Sequence, residues 1–414
     1  MNGLGTYRNR FVETTAVTNP KYRLSELVRY ALKLGTVGFG GPVALVGYMY
    51  RDLVERRQWI SESEYKEGLA LSQLMPGPLA AQLAIYLGQV HYGILGATLV
   101  GVAFVLPSFL MVLALGWAYV AFGGMEWMQA VFYGVGASVI GIIVMSAIKL
   151  TRKTIGQDRL LWSLFLLSAG ATIVTESENI WMFLGSGLLV WSVRTRTTRI
   201  GPGTVRSSLL PLAILPVAQA SLAELLIQIG LFFTKAGAFV FGSGLAIVPF
   251  LYGGIVKEYG WMNENEFLDA VAVAMITPGP VVITVGFIGY VVAARDFNMW
   301  SGVAGASVAA LATFLPCYFF TILPAPYFKK HGKRPGIVAF VDGVTAAAVG
   351  AIAGASVVLG RRTIFEDGWI PELPKIVILL LTIAAMKFFS KLPEPVIVLI
   401  AALVGLLVFP IVHR

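Results

Sequence analysis

The chain has 414 residues, of which 57% are hydrophobic and 13% are charged, and its mean hydropathy is +0.78. This composition excludes a soluble globular protein, because it leaves too little polar surface to cover a chain of this length. The formal net charge of +9 is assigned to cytoplasmic loops rich in Lys and Arg rather than to a nucleic-acid partner. The single cysteine, Cys317, excludes a disulfide within the chain.

The polar and basic residues 1–24 contain no apolar core of a signal peptide and predict a cytoplasmic N-terminal tail. Long runs without charge follow. Residues 69–125 contain no Asp, Glu, Lys or Arg, and such a run must cross a hydrocarbon core of about 30 Å more than once. The charge-free runs together indicate about twelve to fourteen spans. We therefore predict an all-α polytopic membrane protein.

Two breaks interrupt the first apolar segments. The first is Phe39-Gly40-Gly41-Pro42 and the second is Met75-Pro76-Gly77-Pro78. Proline removes a backbone donor but suits the first turn of a new helix, so Pro42 and Pro78 are interpreted as the starts of half-helices. Broken backbone at membrane depth is tolerated only where it lines a cavity or packs against protein.

The second break recurs as Pro278-Gly279-Pro280, a spacing of 202 residues from position 76 to position 278. Lys33 and Lys235 match at the same spacing, and farther along Leu106-Pro107 matches Leu315-Pro316 at a spacing of 209. The chain is therefore interpreted as a duplicated unit. We expect the first transmembrane repeat at residues 25–193, a basic linker with an extra crossing at 194–223, and the second repeat at 224–412.

The basic loops occupy different positions in the two repeats. Basic residues cluster at 149–159 and 194–206 in the first repeat, but at 329–334 in the second, where the equivalent first-repeat corner is uncharged. The positive-inside rule then predicts opposite orientations, with a cytoplasmic N-terminus and His413 outside. Inverted repeats typically place a substrate site near the midplane, where discontinuous helices meet.

Half-helix N-termini present free N–H groups and the positive ends of helix dipoles, which suit an anion. Two lysines in equivalent positions, Lys33 and Lys235, are candidates to offset its charge, or they extend to the membrane interface instead. The breaks themselves are either a binding site or simple packing kinks. The predicted substrate-binding residues are Lys33, Gly40, Gly41, Pro42, Pro76, Gly77, Pro78, Gln82, Lys235, Gly242, Ser243, Gly244, Thr277, Pro278, Gly279 and Pro280.

Other polar residues receive weaker interpretations. Asp342 borders a span and is either a coupling carboxylate or an ion-pair partner of Lys333 or Arg334. His91 and His331 fall in short connections without metal-ligand spacing. Nucleophile, zinc and P-loop motifs are missing, so an enzyme, a metal site and a cofactor are not expected.

Four segments contain the Pro-Gly-Pro breaks and the repeated Leu-Pro pairs with their flanking residues: Ser72-Gln73-Leu74-Met75-Pro76-Gly77-Pro78-Leu79-Ala80-Ala81-Gln82-Leu83, Phe104-Val105-Leu106-Pro107, Met275-Ile276-Thr277-Pro278-Gly279-Pro280 and Thr313-Phe314-Leu315-Pro316-Cys317. They closely resemble the two-domain bacterial chromate transporters of the CHR family. The resemblance implies chromate efflux across the bacterial inner membrane, chromate resistance, sulfate as a competing analogue, and two oppositely oriented halves. This chain differs from many members in having Leu45 and Leu79 at positions that are polar in those members.

The membrane potential favours efflux. A dianion that leaves a negative interior gains roughly 5 kcal/mol per 100 mV, which supports an outward gradient of over three decades without ATP. Sulfate uptake would need a coupled ion, and no acid lies at the breaks to carry a proton. An uptake carrier and an anion channel remain the alternatives, and the sequence leaves open whether the chain forms a homo-oligomer.

Overall fold

The computed structural model describes residues 22–39, 41–122, 125–176, 180–195, 221–239, 247–331, 335–364, 372–389, 392 and 394–412. Throughout these residues the regular structure is helical, which confirms the predicted all-α class. Several predicted positions lie outside them: Gly40, Gly242, Ser243, Gly244, Lys333, Arg334 and His413, together with most of the tail and of the linker.

The described residues form sixteen α-helices. In chain order they are α1 (Leu24–Val37), α2 (Gly41–Met49, continued by a π-turn Tyr50–Arg56), α3 (Glu62–Leu74), α4 (Leu79–Phe122), α5 (Glu126–Thr154), α6 (Arg159–Thr175), α7 (Ile180–Thr195), α8 (Leu222–Phe239), α9 (Val248–Tyr252, continued by a π-turn Gly253–Glu258), α10 (Glu264–Ile276), α11 (Thr284–Asp296), α12 (Met299–Ile322), α13 (Ala325–His331), α14 (Pro335–Ile364), α15 (Leu373–Phe388) and α16 (Glu394–Val412).

The chain reverses within α4. Gly93 has φ +60° and ψ −150°, a conformation that glycine adopts without steric cost. Gly88 and Gly96 lie so close across this bend that a Cβ on either one would overlap the backbone of the other. In a straight helix these residues would be about 12 Å apart, so residues 79–92 fold back on residues 94–122. The uncharged run 69–125 therefore reverses direction, as expected for a run that is too long to cross the membrane only once.

Residues 79–92 also pack back against α3. A Cβ on Gly68 of α3 would overlap the ring of Tyr86, and these two residues lie equally far from Gly77. We call α3 with residues 79–92 the first hairpin, with its tip at Pro76-Gly77-Pro78. In α10 and α11 the arrangement is the same: Thr284 Oγ donates to the Ala270 carbonyl at 2.7 Å. We call α10 with α11 the second hairpin, with its tip at Pro278-Gly279-Pro280.

The C-terminal helices of each half pack against the other half. On α5, a Cβ at Gly134 would overlap the Ala401 carbonyl of α16, while on α14 a Cβ at Gly343 would overlap the Ser186 carbonyl of α7. Gly134 and Gly343 are the positions that match at the 209-residue spacing. Small residues let helix backbones approach closely in membranes, where the hydrophobic effect gives no drive for association.

Five of the described helices are long and apolar enough to cross a membrane: Leu79–Phe122, Glu126–Arg152, Met299–Phe328, Pro335–Arg361 and Glu394–Val412, and Arg159–Thr175 is a shorter apolar helix. Large apolar side chains cover the outer faces, including Leu167 at 65% exposure and Leu407 at 72%. Such faces suit lipid rather than water. The protein is therefore a multi-pass membrane protein. The expected twelve to fourteen spans stay a prediction, because residues 196–220, where one of them was expected, lie outside the described residues.

Arg194 of α7 joins three elements by ion pairs. Its guanidinium lies 2.6 Å from Asp158, the N-cap of α6, and 2.5 Å from Asp342 of α14. Asp342 was expected to be a coupling carboxylate or an ion-pair partner of Lys333 or Arg334, which both lie outside the described residues. Among the described residues Arg194 is its ion-pair partner, because α14 packs against α7, a contact that sequence proximity does not reveal.

Candidate functional site

The tip of the first hairpin is closed by its own amide side chain. Gly77 has φ +137°, and the buried Gln82 donates from Nε2 to the Pro76 carbonyl at 2.7 Å. Among the described residues, none donates to Gln82 Oε1. A Cβ on Gly77 would lie 2.6 Å from Cys317 Cβ and 2.7 Å from Gln82 Nε2. The tip therefore packs against α12, and only glycine fits at its centre.

The tip of the second hairpin packs against α4 and the end of α1. Gly279 has φ +92°, and its N–H donates to the Gly38 carbonyl at 3.0 Å. The buried Ser108 of α4 donates from Oγ to the Pro278 carbonyl at 2.7 Å. A Cβ on Gly279 would overlap Ser108 Oγ. The Ser108 hydroxyl therefore holds the tip of the second hairpin by the backbone carbonyl of Pro278.

The two tip contacts are reciprocal. Ser108 and Cys317 each follow a Leu-Pro pair at matching positions 209 residues apart, and each contacts the hairpin tip of the other half. Neither residue was predicted to belong to the site. The repeated Leu-Pro pair was visible in the sequence, but its contact with a break more than 160 residues away was not.

Both hairpin tips lead directly into helix N-termini. α4 begins at Leu79, immediately after Pro78, as predicted, and α2 begins at Gly41 with Pro42 in its first turn. After Pro280 the chain first makes a 3-10 turn, Val281–Ile283, and α11 begins at Thr284. The first N–H groups of a helix have no acceptor within it. Each tip therefore directs backbone donors into a buried region without charged side chains at the tip.

The hydroxyls next to the breaks mostly bond to nearby carbonyls. Thr277 donates to Ala274 at 3.2 Å and Ser72 to Gly68 at 2.8 Å. These bonds hold the arms of the hairpins and leave backbone N–H groups as the donors suited to an anion. A dianion bound there would interact with dipoles rather than with a permanent counter-charge.

Lys33 and Lys235 both lie on exposed helix faces. Two residues farther along each helix, Gly35 packs against the backbone of Phe104 and Gly237 packs against the backbone of Thr313. Because two residues correspond to a turn of about 200°, the lysines point away from the α4 and α12 contacts. The structure therefore does not bring them to the hairpin tips, and their role in binding stays a prediction.

Paired helical hairpins with broken, glycine-centred tips inside an apolar helical bundle define a membrane transporter. The family model described as "Chromate transporter" matches residues 25–191 and 227–406, and the chain belongs to this family. The family resemblance and the prediction of a transporter rather than an enzyme are thereby confirmed.

Curated relatives extend over almost the full chain. It is 62% identical over 410 residues to the chromate transport protein of Cupriavidus metallidurans, with 97% of this chain and 98% of that protein covered. It is 60% identical over 393 residues to the probable chromate transport protein of Synechococcus elongatus, covering 94% and 96%. The chromate transport protein of Pseudomonas aeruginosa is 31% identical over 415 residues, covering 96% and 95%. No solved structure matches the chain.

Proposed function

We propose that this protein is a secondary transporter that exports chromate across the bacterial inner membrane and thereby confers chromate resistance. Family membership and the printed names of the full-length relatives support chromate as the substrate. Sulfate, a dianion of the same shape, is the expected competitor. The observation that carries the site is the reciprocal packing of Gly77 against Cys317 and of Gly279 against Ser108.

In this proposal the dianion binds at the two hairpin tips. The N-termini after Pro78 and Pro280 would supply N–H donors, and the proposed binding residues include Gly41, Pro42 and Gln82. Gly40, Gly242, Ser243 and Gly244 would complete the site. Lys33 and Lys235 would act on the dianion only at long range, since both side chains are exposed.

The proposed mechanism uses two inverted repeats, residues 25–193 and 224–412. Contacts between α5 and α14 support this inversion. Gly360 contacts Ile140, with 3.6 Å between a Cβ on Gly360 and Ile140 Cγ2. The late part of α14 thus lies beside the middle of α5, so these two equivalent helices contact each other, as they would if they lay beside a two-fold axis in the membrane plane. The N-terminus and residues 194–206 would be cytoplasmic and the C-terminus periplasmic.

The topology is tested with single cysteines introduced into a Cys317→Ala background. A cysteine in the tail and one after residue 412 should react with an impermeant maleimide from opposite sides of the membrane. Labelling of both ends from the same side would refute the inversion.

Export is tested with everted vesicles, in which outward transport appears as chromate uptake. Imposing a potential of the physiological sign should increase uptake, excess sulfate should compete, and flux should saturate with chromate. Flux that stays linear to high chromate concentration would indicate a channel, and uptake only under the reversed potential would indicate an importer.

The variants Gly77→Leu and Gly279→Leu test whether chromate transport depends on the two hairpin tips. Each variant should stay in the membrane and lose chromate transport, because a side chain would overlap the Cys317 or Ser108 contact. Gly170→Leu is the matched control, since a Cβ on this exposed α6 glycine meets no atom within 4 Å. Normal transport by both tip variants would show that the breaks are packing kinks without a role in transport.

A further inference from the structure

Each hairpin is closed at its base by one acid–base pair. In the first hairpin, Glu64 in the first turn of α3 faces His91 near the end of residues 79–92, with 3.3 Å between Glu64 Oε1 and His91 Nε2. In the second hairpin, Glu266 in the first turn of α10 faces Arg295 near the end of α11 at 2.6 Å. Glu64 and Glu266 match at the 202-residue spacing, and each also completes a capping box.

The two pairs differ in one chemical property. Arginine is always protonated in proteins, whereas histidine is the side chain whose charge ordinarily changes between pH 5 and 8. The pair of the second hairpin is therefore permanent, while the pair of the first hairpin depends on a proton. His91 was expected in a short connection without a role, but the structure places it inside a hairpin arm, with only 13% of its side chain exposed.

The surroundings of His91 allow both protonation states. Its Nδ1 lies 2.8 Å from the Tyr22 hydroxyl, and Tyr92 OH donates to the Tyr22 carbonyl. The Tyr22 ring stacks on the Trp59 ring, with 4.8 Å between the ring centroids. The Arg57 guanidinium lies over the Trp59 ring, 4.5 Å from its centroid. Glu26 of α1 acts electrostatically on Tyr92. Among the described side chains, Glu64 is the charged group in direct contact with the imidazole.

Glu64 is suited to remain ionised beside the imidazole. Burial raises the pKa of its carboxyl, but hydrogen bonds from Ser61 and the contact with His91 outweigh burial and leave this pKa below its ordinary value. Neutral His91 can accept from the Tyr22 hydroxyl at Nδ1 and donate from Nε2 to Glu64. Protonated His91 donates from both nitrogens, to the Tyr22 oxygen and to the carboxylate. The same contacts persist, and the second changes from a hydrogen bond between a neutral donor and a carboxylate into an ion pair.

We propose that His91 is a proton-binding site that regulates transport, by tightening the base of the first hairpin when it is protonated while the base of the second hairpin stays closed. This inference rests on the proposed chromate transport. A tighter base holds the two arms of the first hairpin in register and so holds its tip against α12. Loss of the proton weakens the base, and the tip is then in place for a smaller fraction of the time.

The test compares variants in vesicles with equal pH on both sides, at about pH 6 and about pH 8. His91→Arg gives the first hairpin a permanent Glu–Arg pair like that of the second, and Arg295→His gives the second hairpin a Glu–His pair like that of the first. The ratio of the apparent Km for chromate at the higher pH to that at the lower pH should be roughly two- to fivefold larger in wild type than in His91→Arg, as expected from losing up to about 1 kcal/mol of a partly exposed ion pair. In Arg295→His this ratio should be larger than in wild type. The change in chromate protonation is common to all three proteins and cancels in the comparison.

A second measurement does not depend on transport. Hydrogen exchange of residues 62–92 in the purified protein, corrected for the intrinsic effect of pH, should show weaker protection at the higher pH in wild type and pH-independent protection in His91→Arg. If chromate flux is missing but this exchange difference is present, the proposed function fails and the proton site stands. Equal pH ratios for Km and exchange in wild type and folded His91→Arg would overturn the inference.

Discussion

Gly279→Ala is expected to weaken transport by a calculable amount. Gly279 has φ +92°, and a side chain in the left-handed region costs roughly 1–2 kcal/mol. The added Cβ would overlap Ser108 Oγ, so the hydroxyl must rotate away and lose its 2.7 Å bond to the Pro278 carbonyl, worth about 1 kcal/mol. The sum, about 2–3 kcal/mol, corresponds to a loss of roughly 30- to 150-fold in the population of correctly placed tips.

A double-mutant cycle in everted vesicles tests this reasoning. Initial chromate uptake below saturation, normalised to protein in the membrane, is measured for wild type, Gly279→Ala, Ser108→Ala and the double variant. Ser108→Ala alone should reduce uptake about fivefold by removing the hydrogen bond. In the Gly279→Ala background it should cost almost nothing more, because the bond is already lost. Uptake losses that multiply, or a Gly279→Ala variant as active as Gly170→Ala, would refute the proposed contact.

Three further sets of variants address other parts of the protein. Because both lysines point away from the hairpin tips, Lys33→Gln and Lys235→Gln should each leave the apparent Km for chromate nearly unchanged. A rise of roughly ten- to a hundredfold, the size of a charge-assisted contact, would instead place the lysines in the site. Gln82→Ala should lower uptake about five- to a hundredfold by leaving the buried Pro76 carbonyl unpaired, and Gln82→Glu should not restore it, since a carboxylate cannot donate when ionised. Arg194 lowers the pKa of Asp158, so Asp158→Asn should lower the thermal midpoint at pH 7. That difference should begin to shrink as the pH falls below about 4, where Asp158 of the unfolded chain becomes protonated, and it should be lost below the lowered pKa of the folded state. A difference independent of pH would contradict the assigned ion pair.

The breaks were predictable because glycine and proline act locally. Pro78 suits a helix start and Gly77 permits a positive φ, so the sequence alone indicates a tip at this position. Lys33 illustrates the limit of such reasoning. Its equivalence to Lys235 was visible at the 202-residue spacing, but which face of α1 packs inward depends on Gly35 meeting Phe104 of a distant helix.

Two contacts show why the rest was not predictable. Asp342 was matched to basic residues near it in sequence, whereas its partner Arg194 lies 148 residues away on a helix of the other half. His91 gave no motif, because its partners Glu64 and Tyr22 come together only when the chain reverses at the tip of the first hairpin. Electrostatic partners that tertiary packing brings together give no signal in the local spacing of the sequence.

An uncharged tip is physically reasonable for a protein that must both bind and release a dianion. A lysine or arginine fixed beside a buried dianion would gain a strong charge-assisted contact, but breaking that contact during release would leave a buried unpaired charge, which is costly. Backbone N–H groups at Leu79 and after Pro280 supply partial charges that need no neutralising partner when the substrate leaves. The reciprocal contacts of Gly77 and Gly279 keep both sets of donors in place without adding side-chain charge. The affinity of such a site would therefore depend on tip geometry, and a change at Ser108, Cys317 or the hairpin bases should alter transport even though none of these groups needs to touch chromate.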